Sequence, residues 1–262
     1  MKRLFSPRRA AGTFRTLTWA KGPLAALLVF LFASCAVSQD TLLRSDGGAE
    51  AAVRIELSPI LVSYLEDLTL AFAPEAEFRV FDLALLRENL ENEPGVRVLR
   101  LAEEPTGTLA MTLDIASLEQ LQRGASPAVS GLLSVEESPL GTALEVSLGP
   151  KEISDLLTFA GAADARALSV FFPPPPSDGD ASRRVTREGY IDDAVWVLEE
   201  YAPAEDIEEA IRASGVGVTV AAPREVLSVD GGRKEGGRAR FDISLLELVT
   251  LREPRRYTVI YR

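Results

Sequence analysis

Apolar and polar residues change period along this chain, and the changes mark its elements. Val53 to Leu57 alternates as VRIEL, the period of a half-buried strand. Ser58-Pro59 then predicts a helix start, with Ser as N-cap and Pro at the first helical position. Ile60, Leu61, Tyr64, Leu65, Leu68 and Phe72 recur at helical spacing and predict a core-facing stripe. Glu77–Phe81 reads as a short strand, and Asp82–Asn92 as a helix ended by Glu93-Pro94-Gly95. Strands follow at Val96–Leu101 and Thr108–Ile115, then a short helix from Ser117 to Arg123 that stops at Gly124. Gly131–Glu136 and Ala143–Leu148 face each other across Ser138-Pro139-Leu140-Gly141, a hairpin with a longer loop. Pro150-Lys151-Glu152 opens a helix with Ile153, Leu156, Leu157 and Phe159 on its apolar face. Ala167–Phe172 has the composition of a buried strand.

Four prolines at Pro173–Pro176, followed by SDGDASRR, make the clearest break: a stiff arm and then a flexible loop. Beyond it, Tyr190–Tyr201 is amphipathic, with Ile191, Ala194, Val195 and Leu198 on one side, and Ala204–Ala213 is a second, acidic helix. Val216–Ala221 and Glu225–Val229 read as strands, Asp230–Gly237 as a polar turn, and Arg238–Ile243 as a strand pairing back across it. Leu245–Leu251 is a short helix or turn, and Arg256–Tyr261 closes the chain as a strand that could pair with the first one. Strands outnumber long helices and several are hairpin-adjacent. The fold class is therefore α+β, mainly antiparallel sheet with helices packed on one face. Residues 53–172 form its core region, 173–189 a Pro-rich linker or loop, and 190–262 a helical pair and a β-rich tail on the same core.

An internal echo accompanies these elements. Phe81-Asp82-Leu83-Ala84, Leu113-Asp114-Ile115-Ala116 and Phe241-Asp242-Ile243-Ser244 each place an Asp before a strand-to-helix junction. Asp or Ser there can satisfy the orphan N–H groups of the new helix. The intervals are unequal, so the echo is junction chemistry and not a repeat.

The amino terminus has a different pattern. Residues 1–22 hold Lys2, Arg3, Arg8, Arg9, Arg15 and Lys21 and no acidic residue. An apolar stretch from Leu24 to Phe32 follows, then Ala33-Ser34 and Cys35, the one cysteine of the chain. That is the layout of a secretory signal peptide, and the apolar stretch is too short to span a bilayer. Leu31-Phe32-Ala33-Ser34-Cys35 resembles the lipobox of bacterial lipoproteins, with Phe32 where Leu is usual. The resemblance implies removal of residues 1–34, a diacylglyceryl thioether on Cys35 and an added N-acyl group, so that acyl chains on Cys35 hold the protein to a membrane. Two or more chains anchor firmly where one does not. Ala36 after the cysteine implies the periplasmic face of an outer membrane. Residues 35–52, AVSQDTLLRSDGGAEAA after the cysteine, are small and polar and read as a flexible tether.

Charge and composition then exclude more than they select. Removing 1–34 takes away six positive charges and no negative one, so the net charge goes from −11 to −17. A chain this acidic repels nucleic acid. Histidine is absent, which removes Ser-His-Asp and Cys-His nucleophile systems and imidazole-based metal sites. Asp178-Gly179-Asp180 departs from a calcium loop, with Gly189 where its closing Glu would stand. Gly231-Gly232 and Gly236-Gly237 lie in a hairpin and not before a helix, which argues against a phosphate loop. Glu199, Glu200, Glu205, Asp206, Glu208 and Glu209 form a dense negative face, read as solvated surface. The carboxy-terminal layout of Pro223, Gly231-Gly232, Phe241-Ile243-Leu245 and Tyr257–Tyr261 resembles LppM-type envelope lipoproteins, which implies an anchored envelope domain in contact with lipid or a partner. The expectation is a non-catalytic, lipid-anchored envelope protein that binds a protein partner or a hydrophobic molecule, with no cofactor or metal. The alternative is a carboxylate-dependent hydrolase of envelope glycans, which needs two carboxyls about 5–9.5 Å apart in a cleft.

Overall fold

The computed structural model describes residues 35–72, 75, 77–104, 107–124, 132–139, 141–153 and 185–262. The leader 1–34, the expected strand Ala167–Phe172, the proline run Pro173–Pro176, the Asp178-Gly179-Asp180 stretch and most of the helix begun at Pro150 lie outside the described residues.

Two strands open the described chain, β1 (Cys35–Leu43) and β2 (Ala49–Leu57), followed by helices α1 (Pro59–Phe72) and α2 (Leu83–Glu91). Strands β3 (Val96–Glu104) and β4 (Thr108–Ile115), helix α3 (Leu118–Gly124), and the tight hairpin β5 (Leu133–Ser138) and β6 (Gly141–Leu148) come next. Helices α4 (Arg187–Leu198) and α5 (Ala204–Ala213) precede β7 (Gly215–Ala221), β8 (Val226–Asp230), β9 (Arg233–Glu235) and β10 (Arg238–Ser244). A short helix α6 (Leu245–Val249) leads into β11 (Arg255–Tyr261). The predicted caps are in place: the Leu61 N–H donates to Ser58 Oγ at 3.2 Å, and the Leu85 N–H to Asp82 Oδ1 at 3.0 Å. At the other two echoed junctions the caps are Ser117 and Ser244, which accept from the Gln120 and Glu247 N–H groups.

The strands form a seven-stranded sheet, in the order β3-β4-β2-β1-β7-β10-β9, and a four-stranded sheet, β5-β6-β11-β8. All pairings are antiparallel except β1 with β7. The fold is thus α+β with mostly antiparallel sheet. β2 alternates strictly between buried and exposed positions, so one face of the large sheet is covered and the other meets solvent. Ile207 and Ile211 of α5, Leu86 and Leu90 of α2 and Leu245 of α6 join Val37, Ile55, Met111 and Ile243 in one core. The edge-to-face pair Phe241–Tyr257, 5.7 Å between centroids, links the two sheets.

Four expectations are corrected. The largest concerns 35–52, which is no tether. Residues 35–43 are the central strand of the large sheet, hydrogen-bonded to β2 on one side and β7 on the other. The physical reason is the parallel partner: Val37 pairs beside Val216 and Thr41 beside Val220, contacts far away in sequence. Second, Glu77–Phe81 is not a strand; Phe81 is buried just ahead of the Asp82 cap. Third, β8 and β10 do not form a hairpin. β8 pairs with β11 and β10 with β7, because Val226 is buried beside the small sheet while Phe241 and Ile243 belong to the large one. The crossing chain runs so close that a Cβ on Gly232 would lie 2.4 Å from the Phe241 ring. Fourth, β11 pairs with β6 and β8 and not with β1.

The stripe on α1 is only partly in the core: Leu61 is buried, and Ile60, Tyr64, Leu65 and Leu68 are half-buried. Burial of β1 gives a direct test of its place. Leu43 is fully buried, so Leu43→Ala is expected to lower the unfolding free energy by about 2–5 kcal/mol, measured by denaturant titration. An unchanged midpoint would return residues 35–43 to the role of a tether.

Candidate functional site

The site is built where β1 turns into β2. Arg44, Ser45, Asp46, Gly47 and Gly48 carry the chain around a tight corner. The Arg44 N–H donates to Gly48 O at 2.9 Å and the Gly47 N–H to Arg44 O at 3.2 Å. Gly47 has φ +82°, a left-handed conformation that costs glycine nothing. Asp46 Oδ1 accepts from the Gly48 N–H at 2.9 Å, the local bond that makes Asp a turn residue.

The Arg44 side chain then folds back across the turn. Its Nη1 donates to Asp114 Oδ1 at 2.6 Å and its Nη2 to the Ile115 carbonyl at 2.9 Å, which ties the turn to the end of β4. It passes directly over Gly48, where a Cβ would sit 2.3 Å from Nη2 and 2.7 Å from the Ile115 oxygen. The other Asp114 oxygen accepts from Arg97 Nη2 at 2.9 Å. The Leu118 N–H, in the first turn of α3, donates to Gly47 O at 3.0 Å. Asp114 is therefore pulled below its ordinary value, first by its hydrogen bond from Arg44. Asp46 is lowered as well, first by the Gly48 N–H.

This braced turn is one wall of a cavity of about 570 Å³. The start of α3 adds Ser117 and Glu119, and the small sheet adds Val135, Glu137, Thr142 and Tyr261. Pro223 and Arg224 come from the β7–β8 connection, and Arg262 follows β11. The Arg262 N–H donates to Glu225 O at 3.0 Å, so the backbones carrying Arg224 and Arg262 lie side by side. Among the described residues, Arg224 and Arg262 form no ion pair, whereas Arg44 pairs with Asp46 and Asp114, and Glu119 is held by Arg123 at 2.6 Å.

The cavity is a polar recess lined by charges and hydroxyls, not an apolar groove. As a glycosidase cleft it would require one carboxyl raised to act as the acid. Asp46, in the lining, is shifted in the opposite direction, first by the Gly48 N–H. Among the described residues no group of metal-ligating side chains converges, and no helix is long and apolar enough to cross a membrane. Cys35 stands at the start of β1, paired with Leu57, at the end of the strand opposite the cavity. Glu205, Asp206, Glu208 and Glu209 lie on α5, away from the cavity lining. Sequence reading did not single out Arg44, Asp46, Arg224 or Arg262, although Asp46-Gly47 between two alternating stretches is a hairpin signal.

Over 95% of its length the chain is similar to the folded domain of the LppM protein of Mycobacterium tuberculosis, solved by NMR, and spans 95% of that domain. The identity is 12% and the TM-score 0.39. No protein-family model and no curated protein matches the chain.

The lowered carboxyls fix a sign for the pH dependence. A carboxyl with a depressed folded pKa contributes stability above its ordinary value, near 3.8 for Asp, and that contribution is lost as the pH falls through and below it. Asp114→Asn is expected to lower stability at neutral pH and to flatten the acid limb of a denaturation midpoint plotted against pH. An acid limb as steep in the variant as in the wild type would place the titrating groups elsewhere.

Proposed function

We propose that this protein is a non-catalytic binding domain held to a bacterial envelope membrane by acyl chains on Cys35. The basic leader, the short apolar run and the Leu31–Cys35 pattern support the anchor. The observation that carries the reading further is the position of Cys35. It enters the central strand with no residues between anchor and fold, so the domain rides close against the membrane and does not swing on a leash. The apolar helix α1 starts at the same end of the sheet, since β2 ends at Leu57 opposite Cys35. The cavity, at the far end of β1, faces the aqueous compartment.

The absence of histidine, and a cavity with Asp46 held ionised, support binding over hydrolysis. A small polar ligand or an envelope partner fits the recess, and the hydrophobic molecule expected from the sequence does not. The periplasmic face of an outer membrane is the address that Ala36 supports.

Intact mass and membrane partitioning of the full chain, expressed in a bacterial host beside Cys35→Ala, test the anchor. The wild type is expected to lose residues 1–34, gain acyl mass and follow the membrane, and the variant to do none of these. Identical behaviour of the two would remove the lipoprotein reading.

A further inference from the structure

The cavity contains a charge pattern that the anchor does not explain. In a chain with 39 acidic and 28 basic residues, a surface arginine ordinarily finds a carboxylate, and most described arginines here do. Arg224 and Arg262 do not, although their backbones are neighbours and both line one recess. Both arginines are exposed and line the same recess, so two cationic donors are available there to an anion.

The other charges of the lining cancel. Arg44 is neutralised by Asp46 and Asp114, and Glu119 by Arg123. That leaves two arginines against Glu137, which forms no ion pair among the described residues. The hydroxyls of Ser45 and Thr142 also line the recess and make no side-chain hydrogen bond among the described residues. The remaining functional groups are thus two forked cationic donors, the three hydroxyls of Ser45, Thr142 and Tyr261, and one carboxylate acceptor.

We infer that this cavity binds a water-soluble, hydroxylated ligand through a single oxyanion, a carboxylate or a phosphate. Arg224 and Arg262 hold the oxyanion, and Glu137 accepts hydrogen bonds from the ligand's hydroxyls. The volume, about 570 Å³, lies in the range of small-molecule sites of roughly 300–1,000 Å³. The ligand's source follows from β1. Its nine residues rise about 3.3 Å each, so the cavity opens roughly 26 Å beyond Cys35. With β1 directed away from the bilayer, an anchor at Cys35 would keep the site out of reach of headgroups in the same membrane. This part alone rests on the lipoprotein reading; the oxyanion site stands on the lining residues.

The test is an NMR titration of the arginine Nε–Hε resonances of the full chain in detergent micelles, in wild type and in Cys35→Ala. The probes are sodium glucuronate, inorganic phosphate and vesicles containing phosphatidylglycerol. Glucuronate is expected to shift the Arg224 and Arg262 signals equally in both proteins, with at least about a tenfold loss of affinity in Arg224→Gln or Arg262→Gln. Glu137→Gln is expected to weaken glucuronate while leaving phosphate equal or tighter, because it removes an acceptor and a repelling charge together. Signals unmoved by either soluble probe up to about 10 mM, or shifts that persist unchanged in the arginine variants, would overturn the site. Perturbation by vesicles alone would overturn the soluble source. A wild-type protein that carries no acyl chains and still binds glucuronate would overturn only the anchor.

Discussion

The structure depends on one strand being paired on both sides. β1 lies between β2, its antiparallel hairpin partner, and β7, a parallel partner reached only after most of the chain has passed. Without β1 the large sheet separates into β3-β4-β2 and β7-β10-β9, each with a bare edge. β1 also unites the amino- and carboxy-terminal parts in one sheet, while β11 does the same in the other by pairing with β6. Cutting the chain at the proline run into two independent lobes would divide both sheets.

The same strand sets the geometry of function. Its first residue is Cys35 and its last, Leu43, leads into the turn braced by Arg44 across Gly48 to Asp114. Cys35, the proposed anchor, and the polar recess are thus separated by the length of one strand. Exposed ion pairs contribute little individually. The Arg44 arrangement matters instead because it fixes the turn against β4 and α3, and so fixes the wall that Ser45 and Asp46 present to the cavity. It also satisfies Arg44 internally, which is why the unmet charge of the recess falls on Arg224 and Arg262.

Elements whose stability is local were legible in the sequence. Ser58-Pro59, Asp82 and Ser117 each mark a helix start, and the β5–β6 hairpin follows from its turn and its alternation. Elements that depend on distant partners were not. β1 reads as a tether because four consecutive polar residues, Ser38, Gln39, Asp40 and Thr41, hide its alternation, while the burial of Val37 and Leu43 comes from packing that no local window contains. The exchange of partners among β8, β10 and β11 was hidden for the same reason: a polar Gly-rich turn is compatible with a hairpin and with a crossing between sheets. Cys35 was singled out from its sequence context alone, and the structure adds its place at the start of β1. The recess was not singled out, since its arginines are single residues on separate connections, brought together by the two sheets. The Asp46-Gly47 turn was the one local signal available, and its weight was lost once the flanking strand read as a tether.

Native-state amide hydrogen exchange across Val37 to Leu43 tests the central claim most directly. If β1 is the middle strand, its amides exchange as slowly as those of Val53 and Ile55 in β2, at the free energy of global unfolding. Exchange at the rate of an unstructured chain in 37–43, with β2 still protected, would contradict the account. It would return residues 35–43 to a flexible segment ahead of the fold.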